Sequence, residues 1–396
     1  ATTGVLLKLD PGALGVRAVF RMGEVVDDID VQTLTGRIAV VSDVGVAVLE
    51  ADGTTIAWES DDLPAGPSLT LAASEGRRVS IGASDGVVAA ANFGRVQIFE
   101  ADGILRGTMN PLDDVDSLSG GSRLEDIAVD ARTARVVLVG WQQACPAQLT
   151  AFAIAQSYEA TAFEAGVHDG AVAWRRYDWT CAQRELAGAT GDTRLVLAVV
   201  RIGEVAVAGW STGRSTFFRQ PDPNGDPRDD AGNLQTDAYD TPSGIGADTT
   251  VTYLARFGTD DGAFVAGRFL IARTMTDQAA DIRPFALDVA PGGDLIVAGR
   301  TESAIANRDQ VAIDGTTVSA YGGPEAFAAT YGSDLASRQR WEVYTAGDGG
   351  SAARAAALAA DRYAAGGVTS ADLVISEDAL DAERDGEEGF VAAFPR

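Results

Sequence analysis

The chain has 396 residues but only one lysine (Lys8), one histidine (His168) and two cysteines, with 13 prolines. A single imidazole excludes multi-histidine metal centres. It also leaves any Ser-His-Asp triad dependent on His168, which sits in the turn-like Val-His-Asp-Gly. Neither cysteine lies in a Cys-x-x-Cys motif. Walker A and dinucleotide fingerprints are missing, and no apolar run approaches the roughly 18–20 residues of a membrane-spanning helix. Basic charge is scarce as well. Against 57 acidic residues stand 31 basic ones, a net charge of −26, which makes nucleic acid and anionic lipid surfaces poor partners. The near-complete use of Arg for Lys fits a GC-rich genome; a salty habitat, in which an acidic surface stays hydrated and its self-repulsion is screened, is the alternative.

What is abundant is glycine (45) and short apolar runs of Val, Ile, Ala and Phe. Two stretches repeat. Residues 37–53 read RIAVVSDVGVAVLEADG, and residues 87–103 read VVAAANFGRVQIFEADG. Each is a pair of short strands closed by an Asp-Gly turn, and such a hairpin must cover its apolar face with a neighbour. Strand pairs (A–B) are predicted at 28–42, 78–92, 125–140, 194–209, 283–299 and 354–367. Third strands (C) are predicted near 45–51, 95–101, 161–167, 250–257, 326–332 and 389–395. Outer strands carry Trp58, Trp174 and Trp341, placed to fill wedges between neighbouring sheets. Residues 351–361 have helical composition, yet their place in the repeat predicts a strand. The fold class expected is therefore an all-β, single β-propeller domain over 1–396 with six four-stranded blades. Strands from both termini would close the ring. Extra apolar runs at 69–73 and 149–155 leave seven blades open.

From this point a family resemblance is visible. Gly293–Ser303 (GDLIVAGRTES) and Gly203–Thr212 (GEVAVAGWST) resemble the core motif of bacterial SBBP-type β-propeller repeats. Glu325–Thr330 and Gly389–Phe394 are similar to the companion strand of that family. The resemblance covers about residues 195–396; earlier blades look more like generic NHL or PQQ-type repeats. It implies a propeller and an exported location, and it carries no catalytic residues to transfer.

Variation in joint length points to a working face. A–B and C–D turns are short, whereas the B–C connections are expected to grow to 141–160, 211–249, 301–325 and 368–388, all on one face. The residues after each B strand, Asp43, Phe93, Trp141, Trp210, Arg300 and Val368, would ring that mouth and grip a sugar or peptide. Blade-to-blade packing accounts for the aromatic ones equally well. Asp222, Asn224, Asp226 and Asp230 supply oxygen ligands at spacings that suit calcium, although Pro227 and Asn233 depart from an EF-hand loop, and a solvated turn-rich loop has the same composition. Residues 376–388 form a charge run of the kind usually found in a solvated tip. A Cys145–Cys181 disulfide would contribute roughly 3–4 kcal/mol and imply an extracytoplasmic protein; two buried thiols are the alternative. The N-terminus shows no signal sequence, so either it was removed or the protein is cytoplasmic.

The expected function is that of an exported propeller, leaning away from catalysis. It would bind a protein or glycan partner through the long-loop face, with calcium as the only candidate cofactor. A carbohydrate-active enzyme using carboxylates and Arg300 is the first alternative, and a structural subunit of a surface assembly the second.

Overall fold

The computed structural model describes the chain except residues 1–4, 10–15, 24, 62, 64–76, 93–94, 110–121, 146–147, 159–162, 165–166, 169–171, 178–180, 187–190, 202, 213–233, 236–244, 247, 275, 277, 303–311, 314–315, 318–323, 344, 347–349, 370–371, 374–387 and 396. Six antiparallel sheets follow one another along the chain as the blades of a six-bladed β-propeller. Strands are numbered in chain order.

The hairpin β1 (Val5–Leu9) and β2 (Val16–Arg21) precedes sheet 1. Sheet 1 holds β3 (Val26–Val31), β4 (Ile38–Ser42), β5 (Val46–Leu49) and β6 (Ile56–Ser60). Sheet 2 is β7 (Arg77–Ile81), β8 (Val88–Asn92), β9 (Arg95–Phe99) and β10 (Leu105–Met109). Sheet 3 begins with β11 (Ser122–Asp130), β12 (Arg135–Cys145) and β13 (Gln148–Ser157). The short β14 (Phe163–Glu164) and β15 (Val167–His168) leave sheet 3 to extend the outer edge of sheet 2, where β15 pairs with β10. β16 (Val172–Arg176) then completes sheet 3.

After the helix α1 (Cys181–Leu186), sheet 4 starts with β17 (Thr193–Arg201) and β18 (Glu204–Thr212). β19 (Leu234–Gln235) lies parallel at the outer edge of this sheet, beyond β20 (Thr250–Gly258) and β21 (Phe264–Leu270). A small hairpin, β22 (Ala272–Arg273) with β23 (Ala279–Ala280), leads to sheet 5. That sheet contains β24 (Ile282–Val289) and β25 (Leu295–Thr301). The hairpin β26 (Ala312–Ile313) and β27 (Thr316–Thr317) precedes its outer strands β28 (Glu325–Tyr331) and β29 (Arg338–Val343). β30 (Thr345–Ala346) comes next, then β31 (Ser351–Leu358) and β32 (Arg362–Thr369) of sheet 6. β33 (Asp372–Leu373) pairs with β30, and β34 (Glu388–Pro395) is the third strand of sheet 6.

Two expectations need correction. The run 149–155 is not a seventh blade; it lies in β13, the third strand of sheet 3, which displaces 161–167 from that role. Consequently the predicted long connection 141–160 is two long strands joined across residues 146–147. The other elaborated joints do fall between second and third strands, after β18, β25 and β32. Residues 351–358 are strand, as their place in the repeat predicts. The run 69–73 lies outside the described residues.

The chain divides into two compact units. The first comprises Ala1–Gln142, Phe152–Asp178 and Thr259–Gly262, and the second Gln143–Ala151, Trp179–Gly258 and Ala263–Arg396. Within each, the inner strands read as continuous apolar runs because both their faces are covered. Strand β8 shows this for the first unit. Val88 and Ala90 pack with Ala39, Val41 and Val48 of sheet 1, and Ala89 and Ala91 pack with Leu124, Leu138 and Phe152 of sheet 3. In the second unit, Leu295 and Val297 of β25 face sheet 4, and Ile296 and Ala298 face sheet 6. Each fully buried Val, Leu or Ile contributes about 1.5–3 kcal/mol.

Outer strands tie the sheets together. Trp58 Nε1 donates to Ala101 O at 3.1 Å, and Trp174 Nε1 donates to Thr259 O at 2.9 Å. Arginine replaces tryptophan elsewhere: Arg106 donates to Tyr158 O at 2.8 Å, and the fully buried Arg268 donates to Leu335 O. The carbonyls of Ala101, Thr259 and Leu335 lie in tight turns. Gly103 (φ +87°) keeps one such turn clear, since a Cβ there would lie 2.8 Å from the Trp58 ring. Trp341 is buried too, but it is the fourth residue of its strand rather than the third. One step reverses the face, and Trp341 packs toward sheet 4 with Phe327, Ala329 and Tyr331.

Candidate functional site

Five of the six first strands carry a β-bulge at one matched place. The bulged residues are Asp27, Glu125, Val196, Phe285 and Arg354. A bulge adds one residue to a strand and re-aims its side chain. Close by, the bulged strand's carbonyls press on the second strand. A Cβ added to Gly140, Gly209, Gly299 or Gly367 would meet the carbonyl oxygen of Arg123, Arg194, Arg283 or Ala352 at 2.0, 2.1, 2.0 and 2.0 Å. The glycine of Val139-Gly140-Trp141, Ala208-Gly209-Trp210 and Ala298-Gly299-Arg300 is therefore required by backbone approach. The residue after that glycine is then paired directly with the residue opposite: Trp141 with Arg123, Trp210 with Arg194, and Arg300 with Arg283.

In the first unit this constellation is closed by carboxylates. Asp27 forms an ion pair with Arg77 at 2.8 Å, with its side chain 1% exposed. Glu125 accepts from Trp141 Nε1 at 2.7 Å and lies 3.4 Å from Arg123 Nε. Beside them, Asp28 accepts from Val79 N at 3.0 Å, and Asp30 accepts from Ser80 Oγ and Ile81 N, each at 2.9 Å. Burial, reinforced by the charge of Asp126, pushes Asp28 up to about 8; Arg78 and the Val79 N–H pull the other way.

In the second unit the same positions carry no acid. The bulged residues are Val196, Phe285 and Arg354. The guanidinium carbons of Arg194 and Arg283 lie 5.0 and 5.2 Å from the Trp210 ring centroid. Arg354 stands 4.4 Å over Phe285. The neighbouring carboxylate is Glu302, 3.3 Å from Arg300 and itself 46% exposed. Cation–π contacts of this kind contribute about 0.5–2 kcal/mol each.

Of the residues picked from sequence, Trp210 and Arg300 are brought together through Arg283, which stacks on one and is paired opposite the other. Trp141 belongs to the closed constellation of the first unit. Asp43 is exposed and braces a tight turn by accepting from Val25 N at 3.2 Å. Val368 is half-buried on β32. Phe93, Asp222, Asn224, Asp226 and Asp230 lie outside the described residues, as does the 376–387 part of the charge run. His168 contributes backbone to β15. Cys145 ends β12, and Cys181 opens α1. That helix is anchored by Arg184, 1% exposed, which donates to Thr150 Oγ1 at 2.8 Å and to Leu149 O and Gly191 O. Burial lowers the pKa of Arg184, with Asp192 opposing the shift.

Arg194, Arg283, Arg354 and Glu125 were not singled out by sequence reasoning. A signal was present, because Arg123, Arg194 and Arg283 each sit two residues before a bulge in SRLE, TRLV and IRPF. Its meaning depends on register, and register is not written in composition.

No protein-family model matches the chain, and no curated protein does. Among solved structures it is similar to hydrazine synthase of Kuenenia stuttgartiensis, with a TM-score of 0.41, 8% identity, and coverage of 81% of this chain and 65% of that one. It is also similar to the full extracellular region of plexin A4 (domains 1 to 8), with a TM-score of 0.42, 10% identity, and coverage of 77% and 34%. The chain spans less than two thirds of either structure's length. Neither likeness bears on ligand or reaction.

Proposed function

We propose that the protein is a non-catalytic, exported binding module that engages a protein or glycan partner at the second-strand ends of sheets 4 and 5, centred on Trp210 and Arg300. One observation carries this reading: an indole and several guanidiniums are held on rigid strand ends, beside the joints that receive the long insertions. Loops carry function more often than scaffolds do, and strand ends are where a scaffold can fix its side chains. The glycosidase alternative draws less support, because Glu125, the bulge carboxylate, is engaged by Trp141 and Arg123.

Calcium at Asp222, Asn224, Asp226 and Asp230 belongs to this reading as a brace for the 211–249 insertion. The Cys145–Cys181 disulfide belongs to it as a mark of export. It is supported by Arg184, which fastens the helix opened by Cys181 to residues shortly after Cys145. A chelator should lower the melting temperature, and thiol titration of the folded chain should find no free thiol; an unmoved melting temperature or two free thiols would remove the respective claim.

Binding to arrays of secreted proteins and glycans tests the main reading. Trp210→Ala should abolish the wild-type signal, while Arg37→Ala, which removes the Arg37–Glu50 pair (2.7 Å) beside the short turns, should leave it intact. Loss in Arg37→Ala alone, or release of reducing sugar from a bound glycan, would contradict the proposal.

A further inference from the structure

Resting on the binding reading above, we propose that the Trp210–Arg283–Arg300 cluster is a carboxylate-binding site that takes acidic side chains of a partner polypeptide. Arg283 and Arg300 are direct cross-strand neighbours. Like charges opposite one another in a sheet are unfavourable. Arg354 adds a third positive charge on the next sheet, above Phe285, two residues along from Arg283. Arg300 reaches Glu302 through one nitrogen at 3.3 Å, and that carboxylate is itself half-exposed. In a chain of net charge −26, such a local excess of positive charge calls for an anion.

The stacking geometry indicates how the anion would be held. With guanidiniums over its ring, Trp210 serves as a pedestal and is a poor platform for a sugar. A guanidinium carbon 5.0–5.2 Å from the ring centroid is held by the indole while Arg283 itself stays exposed. Its planar fork matches a carboxylate in a bidentate arrangement.

Sheet 3 supplies the template. There the chain provides its own carboxylate, Glu125, which bridges the Trp141 N–H and Arg123. At the matched place in sheet 4 stands Val196, so the bulge offers no carboxylate there and a partner's acidic side chain can take that place. The remaining surface is acidic, with a sequence pI of about 4.3, and a long polyanion would be repelled along most of its length. A few acidic side chains on a partner polypeptide meet the cluster without that cost.

Calorimetric titration of the full chain with a blocked tri-glutamate peptide, with trigalacturonate, and with a tri-lysine control tests this. The expected result is binding of tri-glutamate alone or tightest, weakening as salt rises from roughly 0.05 to 0.3 M. Arg283→Gln and Arg300→Gln should each weaken it roughly tenfold, the loss of one charged hydrogen bond. Arg300→Lys, which keeps charge but not the fork, should lose less. Tighter binding of trigalacturonate would overturn the polypeptide assignment, and no binding of either anion would overturn the site. If Trp210→Ala abolished an array partner while Arg283→Gln and Arg300→Gln retained it, the carboxylate proposal would fall and the binding reading would survive.

Discussion

Sheets 3 and 4 place the same two side chains at the same joint. In both, an arginine two residues before a bulge is paired across the strands with a tryptophan that follows a glycine. In sheet 3 the bulged residue is Glu125, and the arginine, the indole N–H and the carboxylate form a closed group. In sheet 4 the bulged residue is Val196, and the indole is instead flanked by Arg194 and by Arg283 from the next sheet. The same contrast runs through each unit, with Asp27 and Glu125 on the bulges of one and Val196, Phe285 and Arg354 on those of the other. A single bulge position therefore decides whether a strand end carries a carboxylate of its own beside its arginine. The backbone device is shared, and only its side chain differs.

Removing the shared device should have the largest effect. Gly209→Ala would force a Cβ to within 2.1 Å of Arg194 O, and Gly140→Ala meets Arg123 O and Phe152 in the same way. Each should cost about 3 kcal/mol in urea unfolding, whereas alanine at the open Gly292, with no neighbour within 4 Å, should cost far less. Equal costs at Gly209 and Gly292 would show that the close approach is not what the motif protects.

Next comes the closed group itself. Glu125→Val copies sheet 4 into sheet 3 and strips both Arg123 and the Trp141 N–H of that carboxylate. A loss of about 2 kcal/mol is expected, and a stability unchanged from wild type would mean that the carboxylate is not holding the group together.

The last effect is a slope with pH. Because Asp28 is raised from 3.8 to about 8, the folded chain keeps a proton that the unfolded chain releases near pH 4. Between those values this group makes stability fall as pH rises. Asp28→Asn removes that dependence and retains an acceptor for Val79 N. The variant's melting temperature relative to wild type should therefore climb from pH 5 to pH 8, and a constant difference would refute the assignment.

Much of the frame was legible in the residues. The two Glu-Ala-Asp-Gly copies end in the turns they suggest, with Gly53 and Gly103 at φ +79° and +87°. Trp58 and Trp174 fill the wedges expected of them. Sheet 3 was misread because β12 and β13 run to 11 and 10 residues and meet across residues 146–147, so their joint sits farther along the chain than in the plain blades. Apolar alternation cannot show where one strand yields to the next when the joint is that short. The bulges escaped notice for a related reason. One extra residue leaves composition and periodicity nearly unchanged but decides which side chain reaches Arg123 or Arg194. Trp141 and Trp210 looked equivalent in sequence, and only their neighbours separate them.

The most direct measurement is therefore the affinity of Val196→Glu for the tri-glutamate peptide, compared with wild type. Val196 is only partly buried, so a glutamate is tolerated there and can reach Trp210 and Arg194 as Glu125 reaches Trp141 and Arg123. A folded Val196→Glu variant that binds the peptide at least roughly tenfold more weakly is the predicted result. A variant that binds it as tightly as wild type would contradict the claim that the bulge residue sets what this strand end recognises.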